Sequence, residues 1–110
     1  MSLRCNGKVI DTDKEGFLVN LEDWDEKVAH QIALAENIIL TEPHWEVIRL
    51  LKQFYLQYEL SPAMRPLVKY LSLHLGQQKS GSIYLLKLFP GSPAKIAAKI
   101  AGLPRPDNCL

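Results

Sequence analysis

Thr41-Glu42-Pro43-His44-Trp45-Glu46-Val47-Ile48-Arg49-Leu50-Leu51-Lys52-Gln53-Phe54-Tyr55-Leu56-Gln57-Tyr58 is the most regular stretch of the chain. Val47, Ile48, Leu51, Phe54, Tyr55 and Tyr58 recur at spacings of three and four, which gathers them on one face of a helix. Glu42 and Pro43 suit its first turn, where proline gives up no hydrogen bond and a carboxylate meets the positive end of the helix. So apolar a face has to be covered, and the segments on either side supply the cover.

Upstream, Asp23 with Glu26 three residues later has the form of a capping box, and Val28, Ala29, Ile32, Ala33 and Glu36 follow at helical spacing. Downstream, Ser61-Pro62 opens a third helix with Met64, Leu67, Val68, Leu71 and Leu75 inward, stopped by Gly76. After a polar loop over 77–82 comes a short apolar segment, Ile83 to Phe89, closed by Pro90-Gly91. Ser92-Pro93 caps the last helix, with Ile96, Ala97, Ile100 and Ala101 on one face, Lys95 and Lys99 on the other, and Gly102 at its C′ position. The N-terminus has a period of two instead. Asn6-Gly7 is a type I′ turn signal between Leu3-Arg4-Cys5 and Lys8-Val9-Ile10, and Phe17-Leu18-Val19 adds a third strand beyond the loop at 11–16. The expected fold is α+β and mainly helical, in one domain over 1–110. A small three-strand antiparallel meander (1–20) packs on an array of about five helices (23–102), with an extended C-terminal arm (103–110).

The chain of 110 residues, 47% hydrophobic and 23% charged, is an ordinary globular composition. No segment has the h-region of a signal peptide or the length of a membrane span, so a cytoplasmic location without membrane contact is expected. The net charge of +1 conceals an asymmetry: residues 1–58 carry six Lys/Arg against ten Asp/Glu, and residues 59–110 carry seven against two. A basic half suits an acidic or tRNA-bearing partner, and solvated helix faces account for it equally well.

Chemistry points to the arm, Leu103-Pro104-Arg105-Pro106-Asp107-Asn108-Cys109-Leu110. Its two prolines oppose helix, and eight residues reach at most about 25 Å. Free cysteines are usually buried, so Cys109, near the end of a Pro-stiffened arm expected to be mobile, reads either as a presented thiol or as a neutral terminal residue. Arg105 and Lys99 favour its thiolate while Asp107 opposes it, so activation is expected from a partner's pocket. Cys5 reads as strand filler. His30, His44 and His74 lack metal-ligand spacing and read as surface or capping residues, and Trp24 and Trp45 as packing at helix starts. No metal and no cofactor is expected. The corner at Glu59-Leu60-Ser61-Pro62, with Arg65 and Lys69 beyond it, also has the outline of a helix-turn-helix, with too few cations for a good recognition helix.

Several stretches together resemble the DsrC/TusE family: Leu88-Phe89-Pro90-Gly91-Ser92-Pro93-Ala94-Lys95, then Lys99-Ile100-Ala101-Gly102-Leu103-Pro104-Arg105-Pro106 with Cys109, and upstream Pro43-His44-Trp45-Glu46-Val47-Ile48-Arg49, Phe54-Tyr55, Ser61-Pro62-Ala63-Met64-Arg65 and the loop at 11–16. The resemblance spans essentially the whole chain and implies sulfur handling by Cys109. DsrC members carry a second tail cysteine eleven residues earlier, where this chain has Ala98, so a tail disulfide or trisulfide is not available to it. The single tail cysteine is similar to the TusE branch. That branch implies a sulfurtransferase acting only with partner proteins: a persulfide on Cys109, received from a TusBCD-like donor complex through its TusD subunit. It would pass to an MnmA-like tRNA thiouridylase that makes wobble 2-thiouridine, with tRNA contacted indirectly. Lys99 and Arg105 are the candidates for steering the tail. A sulfite-reductase-associated subunit or a redox regulator is the alternative within the family, and a nucleic-acid-binding helix-turn-helix protein the reading outside it.

Overall fold

Residues 1–107 are described by a computed structural model of the chain. The opening strands, β1 (Ser2–Cys5) and β2 (Lys8–Asp11), pair antiparallel with Leu3 opposite Ile10 and Arg4 opposite Val9. Asn6 and Gly7 both have positive φ, 53° and 78°, which is what a type I′ turn demands. The third strand of the expected meander does not form. Phe17-Leu18-Val19 makes one isolated bridge, Leu18 to Thr12. The reason lies in its burial: Phe17 and Leu18 are both buried, whereas a strand with one wet face turns one of two neighbours outward.

Among the described residues five α-helices follow: α1 (Glu26–Ala35), α2 (Glu42–Tyr58), α3 (Met64–Leu75), α4 (Ser82–Leu88) and α5 (Pro93–Ile100). Two starts differ from expectation. Asp23 belongs to a 3₁₀ turn, Leu21–Asp23, and it is Asp25 whose carboxylate caps α1, accepting from Val28 N–H at 2.8 Å. Helix α3 begins after Ala63, leaving the Ser61 hydroxyl for another partner. The apolar segment at 83–89 is helical, with Leu85 and Phe89 fully buried. At the start of α2, His44 Nδ1 accepts from the Thr41 N–H (3.0 Å) and lies 2.8 Å from its hydroxyl, so Nε2–H is the group that donates to Leu88 O at 2.8 Å. One buried histidine thus caps α2 and ties it to the end of α4.

Helix α5 is the axis of the array, packing against α1, α2, α3 and α4. Ala94, Ala97 and Ala98 are buried to 1% or less, and side chains this small let four helices come close. Around α5 lie Val47, Ile48 and Leu51 of α2, Leu67 and Leu71 of α3, and Leu85 of α4, each 0% exposed. An eight-residue helix surrounded on so many sides has little outer face. Lys99, expected on the exposed side, is accordingly 8% exposed.

Candidate functional site

The end of α5 is where the arm begins, and it is closed with unusual completeness. Helix ends leave four carbonyls without intrahelical partners. Here Leu103 N–H returns to Ala98 O at 2.9 Å and Gly102 N–H to Lys99 O at 3.1 Å, the paired bonds of a Schellman motif. Gly102 takes the left-handed conformation this motif needs, at φ +74°. The Trp24 indole N–H donates to Ile100 O at 2.8 Å, and Lys52 Nζ donates to Ala101 O at 3.0 Å. Lys52 also lies 3.6 Å from the centroid of the Trp24 ring. Partial burial pushes the Lys52 ammonium below its ordinary pKa.

Beyond the helix the chain stays on the body. Leu103 and Pro106 are buried, and the Ser61 hydroxyl donates to Pro104 O at 2.6 Å. Arg105 pairs with Glu15, whose other oxygen takes Lys95 Nζ at 2.8 Å. The Lys95 ammonium beside it holds the Glu15 carboxyl below the usual carboxylate range, with burial opposing and the Arg105 charge adding to the effect. The segment expected to leave the body at 103 is therefore held at least to Pro106. Cys109 itself lies outside the described residues.

Lys99 and Arg105, the expected steering cations, are carried to the same loop at 13–17 but by different routes. Arg105 reaches Glu15. Lys99 runs beneath Gly16, where a Cβ would lie 3.5 Å from its Cδ, and its ammonium binds Glu36 at 2.9 Å, 5.4 Å from the centroid of Phe17. Cys5 is buried in the core cluster, as a filler residue would be. Trp24, Lys52, Ser61 and Glu15 hold the arm; Glu15 and Ser61 lay in stretches that carry the resemblance and Trp24 read as packing, but nothing in the sequence assigned any of the four to the arm. They come from four segments far apart in sequence, and only Gly102 signalled the geometry in advance.

Pairing inside the molecule also consumes much of the charge asymmetry. Among the described residues, Glu46–Lys79, Glu15–Lys95, Glu36–Lys99 and Glu15–Arg105 each join an acid of residues 1–58 to a base of residues 59–110. Among the described residues no group of three or more His, Cys, Asp or Glu is placed to hold a metal ion. No described helix is long and apolar enough to cross a membrane.

A small helical body around one central helix, with residues 103–106 strapped along its surface, is the class of protein this fold and site define. Comparison with known proteins gives the class its family: the model described as DsrC like protein matches residues 4–110, and the chain belongs to that family. It is 50% identical to the sulfurtransferase TusE of Yersinia pestis over 108 residues, covering 98% of this chain and 99% of that protein. The NMR structure of DsrC from Allochromatium vinosum superposes with a TM-score of 0.89 at 43% identity, with full coverage of both chains. The crystal structure of the oxidized γ-subunit of dissimilatory sulfite reductase (DsrC) from Archaeoglobus fulgidus gives 0.83 at 40% identity, again over both full chains.

Proposed function

We propose that this protein is a sulfur-relay carrier that accepts persulfide sulfur on Cys109 and hands it to a second protein. The observation that carries this reading is the full-length match, at 50% identity, to a protein named as a sulfurtransferase. The chemistry needs only what the tail contains. The Cys109 thiolate attacks the outer sulfur of a donor persulfide, forming a new S–S bond while the donor cysteine departs as thiolate. The acceptor's cysteine thiolate then attacks the outer sulfur of Cys109–S–SH and expels the Cys109 thiolate, so no net oxidant or reductant is consumed. A donor of the TusBCD kind, acting through a TusD-like subunit, and an MnmA-like tRNA thiouridylase as acceptor belong to this proposal. So do wobble 2-thiouridine as the end product and a cytoplasmic setting. Arg105 steers the arm through Glu15, and Lys99 supports the loop that carries Glu15.

Incubation with a persulfide donor is expected to add one sulfur to the intact protein, located on Cys109 by mass spectrometry of peptides. No gain, or an equal gain in Cys109→Ser, would sink the reading. A sulfite-reductase partner is the second reading, favoured by the likeness to the A. fulgidus γ-subunit. Against it stands Ala98, a methyl group at 0% exposure where the family's second tail cysteine belongs. Copurification of a sulfite reductase with the tagged protein would support it.

A further inference from the structure

Loop 13–17 is built to hold one side chain still. The Asp13 carboxylate accepts from the N–H of Glu15 at 2.9 Å and of Phe17 at 3.0 Å, while the backbone of Asp13 bonds Phe17 and Gly16. Phe17, 3% exposed, roots the loop in the core, and the stem of Lys99 supports it from below. The side chain this loop presents is Glu15, whose two oxygens serve two elements: Lys95 of α5 and Arg105 of the arm. Everything up to Leu103 is already fixed by the end of α5, and Ser61 holds Pro104 from the other side. Arg105 lies between two prolines, which restrict its own backbone and that of Leu103 before it. Fixing its side chain therefore fixes the heading of the chain at Pro106.

We propose that Glu15 is a positioning residue for sulfur transfer, setting the direction and reach of Cys109 by holding Arg105 against Lys95. The proposal rests on the sulfur-carrier reading. Cys109 is three residues past Pro106, so it stays within about 11 Å of that anchor. Releasing Arg105 also lets Pro106 leave its buried seat, so that Pro104 becomes the last hold and five residues separate anchor from thiol. The reachable radius grows to about 18 Å and the volume swept by roughly four- to five-fold, with a matching fall in the local concentration of the thiol at a docked partner's site.

The test uses the full chain with Glu15→Gln, Arg105→Gln, the double variant and Arg105→Lys. Backbone ¹⁵N relaxation at Arg105 and Asp107 is expected to show greater motion in both single Gln variants, no further increase in the double, and near wild-type values in Arg105→Lys. The rate of sulfur transfer from persulfidated Cys109 to a protein acceptor should fall three- to five-fold in the Gln variants, while alkylation of Cys109 by iodoacetamide is unchanged. Wild-type relaxation in the Gln variants, additive effects in the double, or a parallel fall in alkylation would overturn the proposal. If Glu15→Gln does not fold, Arg105→Gln removes the same contact from the exposed arm side and carries the test alone. If the wild-type protein transfers no sulfur, the carrier reading fails, while the relaxation data still decide whether Glu15 holds the arm.

Discussion

At the scale of single residues, Gly102 is the most constrained position described. Its φ of +74° lies in the left-handed region, and a Cβ there would come within 2.3 Å of Trp24 Cδ1 and 2.6 Å of Cγ. Both objections act at once on Gly102→Ala: about 1–2 kcal/mol for an L-residue in that conformation, and about 1–3 kcal/mol for forcing the indole aside. Chemical denaturation should show a loss of roughly 2–5 kcal/mol. Since the displaced indole also holds Ile100 O, the motion of Arg105 should rise too. The glycine itself was legible, because a Gly directly after a periodic helix is a C′ signal. Its partner was not: nothing in the sequence near Trp24 says that its N–H serves a carbonyl 76 residues later.

Among the elements, the long helices were readable, and so was α5 from its Ser92-Pro93 start and Gly102 stop, whereas the shortest, α4, was not. α2 and α3 bury Val47, Ile48, Leu51 and Phe54 on one and Leu67 and Leu71 on the other, as their period selects, with Tyr55, Met64, Val68 and Leu75 partly buried. Tyr58, at the end of the α2 stripe, is exposed. α4 has only seven residues, fewer than a period needs to declare itself against a strand. Lys99 was misplaced for a reason particular to α5: amphipathic spacing assumes a wet face, and this helix has four neighbours. The third strand was misread because alternation cannot distinguish a half-buried strand from a loop that tucks in two adjacent apolar residues. The end of α2 offers an element-scale test. Glu59 sits there at φ 56° as an exposed left-handed cap, with its N–H on Tyr55 O at 2.8 Å. Glycine adopts that conformation without strain, so Glu59→Gly should stabilise the protein by about 1 kcal/mol. Calorimetry should register this as a rise in Tm of several degrees.

For the whole molecule, ion pairs between the acidic and basic halves link acid stability to the arm. Glu15 has a folded-state pKa below its ordinary value of 4.5. A carboxylate depressed in this way contributes fully above that value and loses its contribution as pH falls through the lower, folded one. Acidification should therefore free Arg105 below pH 4.5 and leave the neutral range untouched. In relaxation measurements, wild-type Asp107 is expected, once the pH has fallen through that lowered pKa, to move as it does in Glu15→Gln at neutral pH. A wild-type arm that stays rigid through that titration would show that the pairing does not hold it.

The placement of α5 has a consequence for biosynthesis. The other four helices pack around a helix that follows them in the sequence, residues 93–100, and the acids at 15, 36 and 46 meet their cations only at 79 and beyond. As the polypeptide emerges from the ribosome, the first four helices therefore have no centre to close on, and the body consolidates only once residues 93–103 have been made. The closing of the core and the fastening of the arm's base are then a single event, so a nascent chain cannot present this tail from a folded but incomplete body.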